Sequence, residues 1–403
     1  MTIGAGQIAD LRLTRLQKLI TRFMRSPQLL LLNLFGSNNW DSDNIEWESQ
    51  IGNRGLTPFV PPGAPSPQTA PTGVAKHSAF AAYWKEKMYF DEVFLNNLRQ
   101  PGTVATYERT QRRLARELMG LRNRSDRRAE WMLAKMLSAG SFDYKEQGGT
   151  KISVDYGIPS SQIVTLAASR LWSTGESKNI IEDIMDAKLA IDVEPDVAMF
   201  TADVLKYMIL DTGIQTLLQK SAFGQGDLFS RPTQVLGSLL DIPRMVKYDE
   251  KYQIRAWLTA AVTASSTTQV YVDDVTDFEV GGTLRFYDTS AQTYEDETIA
   301  SITPESGIVT VSSAPATSYK AGEDFVYMTQ KFLPTNKFCM FASNVEGQMS
   351  AEFAYSPFGL DRVWGMKVDS KENWDPEGIF IRVQNKGLPI LYHADAPYIL
   401  TVA

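Results

Sequence analysis

Residues 104–139 read VATYERTQRRLARELMGLRNRSDRRAEWMLAKMLSA. One set of positions recurs at steps of three and four residues, as on one face of an α-helix: Tyr107, Gln111, Leu114, Leu118, Leu121, Ser125, Ala129, Met132 and Met136. Gly140 follows where a helix C-cap is expected. The spacing predicts one uninterrupted helix, about 54 Å long at 1.5 Å per residue, which exceeds the diameter of a small domain.

The charge of this predicted helix is strongly positive. It carries four acidic residues (Glu108, Glu117, Asp126 and Glu130) and nine basic ones: Arg109, Arg112, Arg113, Arg116, Arg122, Arg124, Arg127, Arg128 and Lys135. The pattern has two interpretations. The basic residues form a solvated face opposite a core face, or the helix is a positively charged strut that faces phosphate.

Upstream of the helix, residues 43–51 alternate apolar and polar side chains and are predicted to form a strand. The next 22 residues, 52–73, contain six prolines and four glycines, a composition that supports neither a helix nor a strand ladder. An aromatic, strand-like segment follows at 83–90. We therefore expect 52–90 to be a long excursion whose apolar side chains are covered by a partner subunit: Phe59, Val60, Tyr83, Trp84, Tyr89 and Phe90.

The N-terminal residues 8–25 are predicted to form a basic amphipathic helix that ends before Pro27. Such a helix can pack on a neighbour, face nucleic acid or lie on a membrane surface, and packing is the interpretation we favour. No signal-type apolar segment is visible, and Leu29–Leu32 is far too short to span a bilayer. We expect a cytosolic protein, no membrane association and a reduced thiol.

Downstream, a Gly148-Gly149 turn predicts a hairpin at 141–156, and a mixed series of helices and strands follows. The predicted helices are 180–190, 202–210 with Thr201 as N-cap, 213–220 and 232–240. The predicted strands are 197–200, 244–255, 337–342, 378–384, 387–393 and 398–402.

Residues 258–328 interrupt this series with five short β segments, at 269–272, 283–287, 297–302, 308–312 and 324–328. The segment carries two basic residues, Arg285 and Lys320, against eleven acidic ones, a balance of −9. The rest of the chain has 38 basic and 36 acidic residues, a balance of +2. We predict a small, acidic, all-β domain inserted in the chain, which nucleic acid would repel.

The whole chain has 403 residues, a net charge of −7, 43% apolar and 22% charged residues, which is globular composition for two or three domains. One cysteine (Cys339) and two histidines (His77 and His393) exclude a disulfide framework and a multi-histidine metal site. The motifs of nucleotide-binding loops, zinc proteases and serine hydrolases are missing from the sequence. The acidic pairs at 273–274 and 295–297 are typical of solvated turns rather than cation sites. We expect no catalytic, cofactor-binding or metal-binding residues, and no enzyme.

The order of these parts resembles the major capsid proteins of tailed bacteriophages, which have the Hong Kong 97-type fold, and most closely the lambda-type family called major capsid protein E. The resemblance rests on the strand 45–51 that enters the loop, the helix 104–139, residues 332–342 and the segment 389–397. It covers about 1–257 and 329–403, whereas 258–328 departs from the lambda-type pattern.

The resemblance implies an α+β fold with five parts. They are an N-terminal arm (1–35), a peripheral domain (36–175) with its E-loop (52–90) and spine helix (104–139), an axial domain (176–257 and 329–403) and the insertion domain (258–328). Some relatives crosslink the E-loop through a lysine, for which Lys76, Lys85 and Lys87 qualify only by residue type. The lambda-type branch forms no such bond, and we expect none here.

The function implied by the resemblance is a major capsid protein that self-assembles from hexamers and pentamers into an icosahedral shell. The implied partners are further copies of the chain, non-specifically packaged double-stranded DNA, and scaffold, portal and decoration proteins. The implied location is the virion, after assembly in the host cytoplasm. The alternative is an encapsulin-like shell of the same fold that encloses protein cargo.

Overall fold

The computed structural model describes residues 13–22, 29–50, 56–57, 59–61, 63, 65–66, 74–99, 104–145, 151–221, 225–275, 278–345, 347–375 and 377–403. The ends of the predicted N-terminal helix (8–12 and 23–25) and much of 52–73 lie outside these residues. The chain forms two compact units. The first unit comprises Met1–Phe142, Val154–Tyr248 and Leu333–Ala403, and the second comprises Asp143–Ser153 and Asp249–Phe332.

The helices are α1 Leu13–Arg22, α2 Leu30–Phe35, α3 Glu92–Arg99, α4 Val104–Ala139, α5 Ile180–Ala190, α6 Ala202–Ile209, α7 Thr212–Gln219, α8 Gln225–Ser230 and α9 Pro232–Leu240. The strands are β1 Ser37–Asn39, β2 Asn44–Gln50, β3 Val74–Phe80, β4 Ala82–Asp91, β5 Ser141–Lys145, β6 Lys151–Asp155, β7 Ile163–Thr165, β8 Val197–Phe200, β9 Arg244–Lys247, β10 Lys251–Trp257, β11 Gln269–Tyr271, β12 Thr283–Asp288, β13 Thr293–Thr303, β14 Ile308–Val311, β15 Phe325–Lys331, β16 Lys337–Phe341, β17 Asn344–Val345, β18 Gln348–Met349, β19 Ala351–Tyr355, β20 Lys367–Asn373, β21 Gly378–Leu391 and β22 Pro397–Thr401.

The first unit contains two five-stranded sheets. In one of them, β21 is the central strand: it pairs with β20 over Gly378–Gln384, with β4 over Gly378–Gly387 and with β19 over Gly387–Leu391. Helices α1, α3 and α4 share a core with this sheet, and α4 contributes to it three residues of the face that the sequence predicts, Leu114, Leu118 and Leu121. The core residues are Leu16, Ile20, Phe90, Phe94, Leu95, Leu114, Leu118, Leu121, Val368, Ile379, Ile381 and Val383.

The other sheet of the first unit has the order β7-β22-β16-β8-β9. All four residues of strand β8 are apolar and buried, so both faces of the strand are covered. Helices α5, α6, α7, α8 and α9 contribute side chains to one core with this sheet, which includes Trp172, Ile184, Phe200, Met208, Leu236 and Phe338. Thr201 stands at the predicted N-cap of α6, but its side chain does not cap the helix: Thr201 Oγ1 donates to the Thr335 carbonyl at 3.3 Å.

Residues Asp249–Phe332 of the second unit form a six-stranded antiparallel barrel with the strand order β10-β15-β12-β13-β14-β11. The barrel closes where the chain beyond β10 meets β11. Thr259 N–H donates to the Tyr271 carbonyl at 2.9 Å, and Asp273 N–H donates to the Trp257 carbonyl at 3.1 Å. Its own core includes Val270, Leu284, Phe286, Ile299, Val309 and Val326. The predicted β module 258–328 lies within this barrel, which also uses β10 and the end of β15.

Three strand predictions differ from the structure. Residues 244–255 form two strands, β9 and β10, which belong to different sheets. The two predicted strands 378–384 and 387–393 are one continuous strand, β21. The predicted return segment 83–90 is β4, a strand of the first unit's own sheet rather than part of an unsupported excursion.

Candidate assembly surfaces

Strands β2 and β3 form a two-stranded ribbon whose base is anchored in the first unit. Trp47 is buried there and stacks on His77, with ring centroids 5.4 Å apart. The Trp47 ring also lies 5.8 Å from the ring of Tyr156. The Ser49 hydroxyl lies 2.9 Å from His77 Nε2. Gly157, at φ +68°, leaves room for the imidazole, since a Cβ there would lie 3.1 Å from it. His77 therefore has a structural role at the base of this ribbon.

Beyond the ribbon the chain exposes apolar side chains. Leu56 is 95% exposed and Phe59 is 105% exposed, and Val60 is partly exposed as well. A single exposed leucine is ordinary on a protein surface, but neighbouring leucine, phenylalanine and valine side chains without cover are typical of an interaction site. We call Leu56, Phe59 and Val60 the loop tip.

The aromatic residues of β4, which were expected to need a partner subunit, are covered by their own chain to different degrees: Phe90 is buried, Trp84 and Tyr89 are half-buried, and Tyr83 is 42% exposed. Each lies against an aromatic ring of the first unit, in the pairs Tyr83–Phe358 (5.7 Å), Trp84–Phe353 (6.3 Å), Tyr89–Phe380 (4.9 Å) and Phe90–Phe94 (4.7 Å). β4 is hydrogen-bonded to β21 over its whole length, so these residues belong to the first unit's own sheet. The expectation was wrong for Phe90, which its own chain buries, and stays a prediction for the exposed surface of the other three. Cover by a partner subunit stays a prediction for Phe59, which is fully exposed, and for Val60, which is partly exposed.

The helices around the other sheet also expose apolar side chains. Met185 and Leu189, one turn apart on α5, are mostly exposed, and so is Leu210 at the end of α6. The opposite side of α5 is anchored through Asp183, which accepts from Trp172 Nε1 at 2.8 Å and pairs with Arg170 at 2.6 Å. Burial raises the pKa of the Asp183 carboxyl above its usual value despite these partners.

The spine helix α4 carries a buried carboxylate, Glu130, that sequence reasoning did not single out. Its two oxygens accept from the backbone N–H groups of Leu31 and Leu32 at 2.9 and 2.8 Å, and the Tyr248 hydroxyl donates to it at 2.6 Å. Helix α2 has no capping side chain of its own, since Leu29 stands at its N-cap. Glu130 thus caps the first turn of α2 from 99 residues away and fixes the N-terminal segment to the spine helix.

Several basic residues of α4 bond to or pack on other parts of the chain. Arg122 bonds to the Ile20 carbonyl and pairs with Asp126, Arg124 pairs with Glu86 of β4, and Arg113 lies 5.4 Å above the ring of Phe94. Most of the arginine side chains remain exposed, among them Arg109, Arg112, Arg116, Arg127 and Arg128. The helix is therefore consistent with both sequence interpretations, a solvated basic face and a positively charged strut that faces phosphate.

The acidic clusters of the barrel are used internally. Asp273 accepts from the Trp257 N–H at 2.7 Å, Glu295 accepts from the N–H groups of Ala316 and Thr317, and Asp296 pairs with Arg285 through two bonds. The Arg285 hydrogen bonds lower the pKa of Asp296. Across the described residues, no three His, Cys, Asp or Glu side chains are grouped so as to hold a metal ion.

The remaining singled-out residues lie as follows. Cys339 is buried in β16, and burial raises the pKa of its thiol to about 12, so that it stays protonated. His393 is buried as well. Lys76 pairs with Glu48 across the ribbon, and Lys87 lies over the ring of Phe380.

Within the part of the chain that the structure describes, no helix has the length and apolar character that crossing a membrane requires.

A family model described as phage major capsid protein E matches residues 13–294. No curated protein matches the sequence. Among solved structures, the chain is similar to the protein described as the capsid protein of a prophage in E. coli CFT073. The two are 13% identical, the match covers 97% of this chain and 99% of that one, and the TM-score is 0.54. This likeness shows the fold.

A second similar structure is a phage-related protein from Bordetella bronchiseptica RB50, with 10% identity, 96% of each chain covered and a TM-score of 0.49. The SrpI encapsulin of Synechococcus elongatus PCC 7942 is more distant, with 9% identity over 94% of this chain and 89% of that chain, and a TM-score of 0.39. The family match and the likeness to the prophage capsid protein show that the mixed α+β architecture of the chain is the phage capsid fold, of the Hong Kong 97 type.

Proposed function

Because the chain belongs to the phage major capsid protein E family, we propose that its copies build the shell by covering one another's loop tips. Membership makes the chain a major capsid protein, a structural subunit of the icosahedral phage head, and places it in the virion. The observation that carries the proposed mode of assembly is the fully exposed pair Leu56 and Phe59 beyond an anchored ribbon.

The energetic reason is the cost of leaving such residues in water. Burying a leucine or phenylalanine side chain contributes about 1.5–3 kcal/mol each. In a shell this gain recurs at every subunit contact, since head-to-tail contacts close into rings and shells. The anchored base, with Trp47 against Tyr156, would aim the ribbon in one direction and so reduce the ordering cost of docking.

We assign the parts of the chain as the family resemblance implies. The N-terminal arm is 1–35, the peripheral domain 36–175 with its E-loop 52–90, the axial domain 176–257 with 329–403, and the insertion domain 258–328. Two features of the first unit support this. The spine helix packs on the sheet around β21, whereas α5–α9 share a separate core with the sheet around β16. The exposed Met185 and Leu189 of that second group are then available for contacts within a hexamer or pentamer.

We further propose that the shell encloses double-stranded DNA without reading its sequence, and that assembly takes place in the host cytoplasm with scaffold, portal and decoration proteins. The exposed arginines of α4 and the +2 balance outside 258–328 favour a phosphate-tolerant wall. The −9 balance of 258–328 favours placing that domain on the outer face, away from phosphate. No catalytic role is proposed, since the family is structural and both histidines are packed against protein.

The test is expression of the chain with and without a scaffold protein, followed by light scattering and negative-stain microscopy. The expected result is large closed particles, or hexamers and pentamers. A stable monomer under every condition would refute the proposal. Cryo-microscopy should show the β barrel as an outward knob. Nucleic acid in purified particles would separate a genome shell from the encapsulin-like alternative, which would hold protein instead.

A further inference from the structure

Four aromatic side chains lie side by side on the outer surface of the barrel. Trp257 is directly opposite Phe325, Phe325 is opposite Tyr287, and Tyr287 is opposite Tyr294. With strands about 4.8 Å apart, this aromatic row is about 14 Å long. The side chains that precede or follow them on the same strands point the other way, into the barrel core: Ala256, Val326 and Phe286.

The ends of the aromatic row are open to solvent. Trp257 is 42% exposed and Tyr294 is 61% exposed, while Phe325 in the middle is 8% exposed. The rings pack on one another, with centroids 5.4 Å apart for Trp257 and Phe325 and 4.9 Å apart for Tyr287 and Phe325. Such a rigid aromatic strip offers large contact area at low cost in side-chain entropy, and Trp and Tyr dominate the binding energy of protein interfaces.

The aromatic row already holds cations of its own chain. The Arg255 guanidinium lies 4.0 Å from the centroid of Phe325, and that of Arg285 lies 4.2 Å from Tyr294. Asp296 holds Arg285 in place through two hydrogen bonds of 2.5 and 2.6 Å. The rings of Phe325 and Tyr294 are therefore presented in the geometry that cation–π contacts require. Trp257 and Tyr294 keep exposed surface beside these contacts.

The net charge of the unit that carries the aromatic row selects the partner, although two arginines, Arg255 and Arg285, lie on the rings themselves. Residues 249–332 contain five basic and thirteen acidic residues, so a second copy of this acidic unit would be repelled and a basic surface attracted. We propose that the aromatic row is the docking site for a positively charged protein, whose arginine or lysine side chains lie over Trp257 and Tyr294. This proposal goes beyond shell building, because it concerns a different protein that binds to the assembled shell.

The test uses assembled particles of the full chain and a fluorescein-labelled twelve-residue peptide of alternating arginine and glycine. Binding is followed by fluorescence anisotropy at several salt concentrations. The variant Trp257→Thr/Tyr294→Thr removes two rings but no charge, and threonine suits a strand. We expect it to weaken peptide binding roughly 5- to 30-fold, the loss of two exposed cation–π contacts, with an unchanged salt dependence.

The matched control is Val280→Thr, which removes an exposed apolar side chain from the same barrel away from the row. It should change the affinity less than about twofold. Equal affinities for both variants would overturn the proposal, since charge alone would then explain binding. It would also be overturned if the peptide bound only unassembled chains and Trp257→Thr lowered particle yield, because a neighbouring copy would then occupy the aromatic row.

Discussion

The loop tip and the barrel differ in whether their apolar side chains are covered by their own part of the chain. The barrel buries its apolar side chains in a core of its own, including Phe286 and Val309, and its sheet closes on itself. The loop tip leaves Leu56 and Phe59 in solvent, where nothing described in its own chain covers them. The difference indicates that the barrel needs no neighbour to fold, whereas the loop tip has a stable environment only in an assembly.

The strongest test of this contrast removes the loop tip's apolar character. In Leu56→Ser/Phe59→Ser we expect the yield of particles to fall at least tenfold, because each subunit contact loses about 3–6 kcal/mol of burial. Light scattering at fixed protein concentration measures the yield, and circular dichroism verifies the fold. The control Val280→Ser removes an exposed apolar residue of the barrel and should leave assembly intact. Normal particles from the double variant would show that the loop tip is not an assembly element.

The second test concerns the independence of the barrel. Phe286→Ala, at a fully buried position, should destabilise the barrel by about 3–5 kcal/mol through the cavity it leaves. Calorimetry of the unassembled chain should show two transitions, with only the barrel's transition lowered. The counterpart Phe338→Ala, in the core of the first unit, should lower only the other one. A single transition that responds to both variants would contradict the contrast.

The third test sharpens the comparison within the first unit, where the N-terminal segment is held by its own chain rather than by a neighbour. Glu130→Ala leaves two backbone N–H groups and the Tyr248 hydroxyl without this acceptor, and we expect a loss of about 3 kcal/mol in the free energy of unfolding. Chemical denaturation measures it. Glu117→Ala, at a half-exposed site on the same helix, should cost less than about 0.5 kcal/mol. Equal losses would mean that Glu130 does not fix the segment.

The smallest expected effect is electrostatic and belongs to the barrel. The Arg285 hydrogen bonds place the folded pKa of Asp296 below its unfolded value of about 3.9, so this pair stabilises the fold above that pH and ceases to do so as the pH falls. Because the pair is partly exposed, Asp296→Asn should cost under about 1 kcal/mol at pH 7. The difference from the wild type should shrink as the pH is lowered from 7 into the acid range in which folded Asp296 takes up its proton. A loss that is the same at pH 7 and in this acid range, measured from the barrel's thermal transition, would exclude this ionic contribution.

The sequence predicted most of what local patterns control. The helix 104–139 is found with the predicted bounds, because its spacing is long and regular and because Gly140 takes the positive φ of a C-cap. By contrast, the interruption expected near Asn385 is missing from β21. Gly387 there is not a turn residue: a Cβ at this position would lie 2.6 Å from the ring of Phe353, so the glycine makes room for a neighbouring strand's side chain.

Other features depend on contacts distant in sequence and were missed for that reason. Glu130 stands in the otherwise apolar run Ala129–Ala134, and an acid inside such a run was the available signal. Its partners, Leu31 and Tyr248, are about a hundred or more residues away. The aromatic segment at 83–90 is a strand as predicted, but its pairing was missed for the same reason, because its partner strand lies near the end of the chain. Local composition shows that such side chains need to be buried or paired, but it does not show which distant part of the chain buries or pairs with them.

The pairing of β4 and β1 with strands near the C-terminus has a consequence for the order of folding during synthesis. Strand β1 at Ser37–Asn39 has to wait for β19, and β4 has to wait for β21, which ends at Leu391. The barrel, in contrast, has all its strands once the ribosome has passed Lys331. At roughly 5–20 residues per second, the barrel has about 3–12 s in which it can fold before the sheet around β21 can close. A nascent chain therefore carries a finished barrel before it is competent to join a shell.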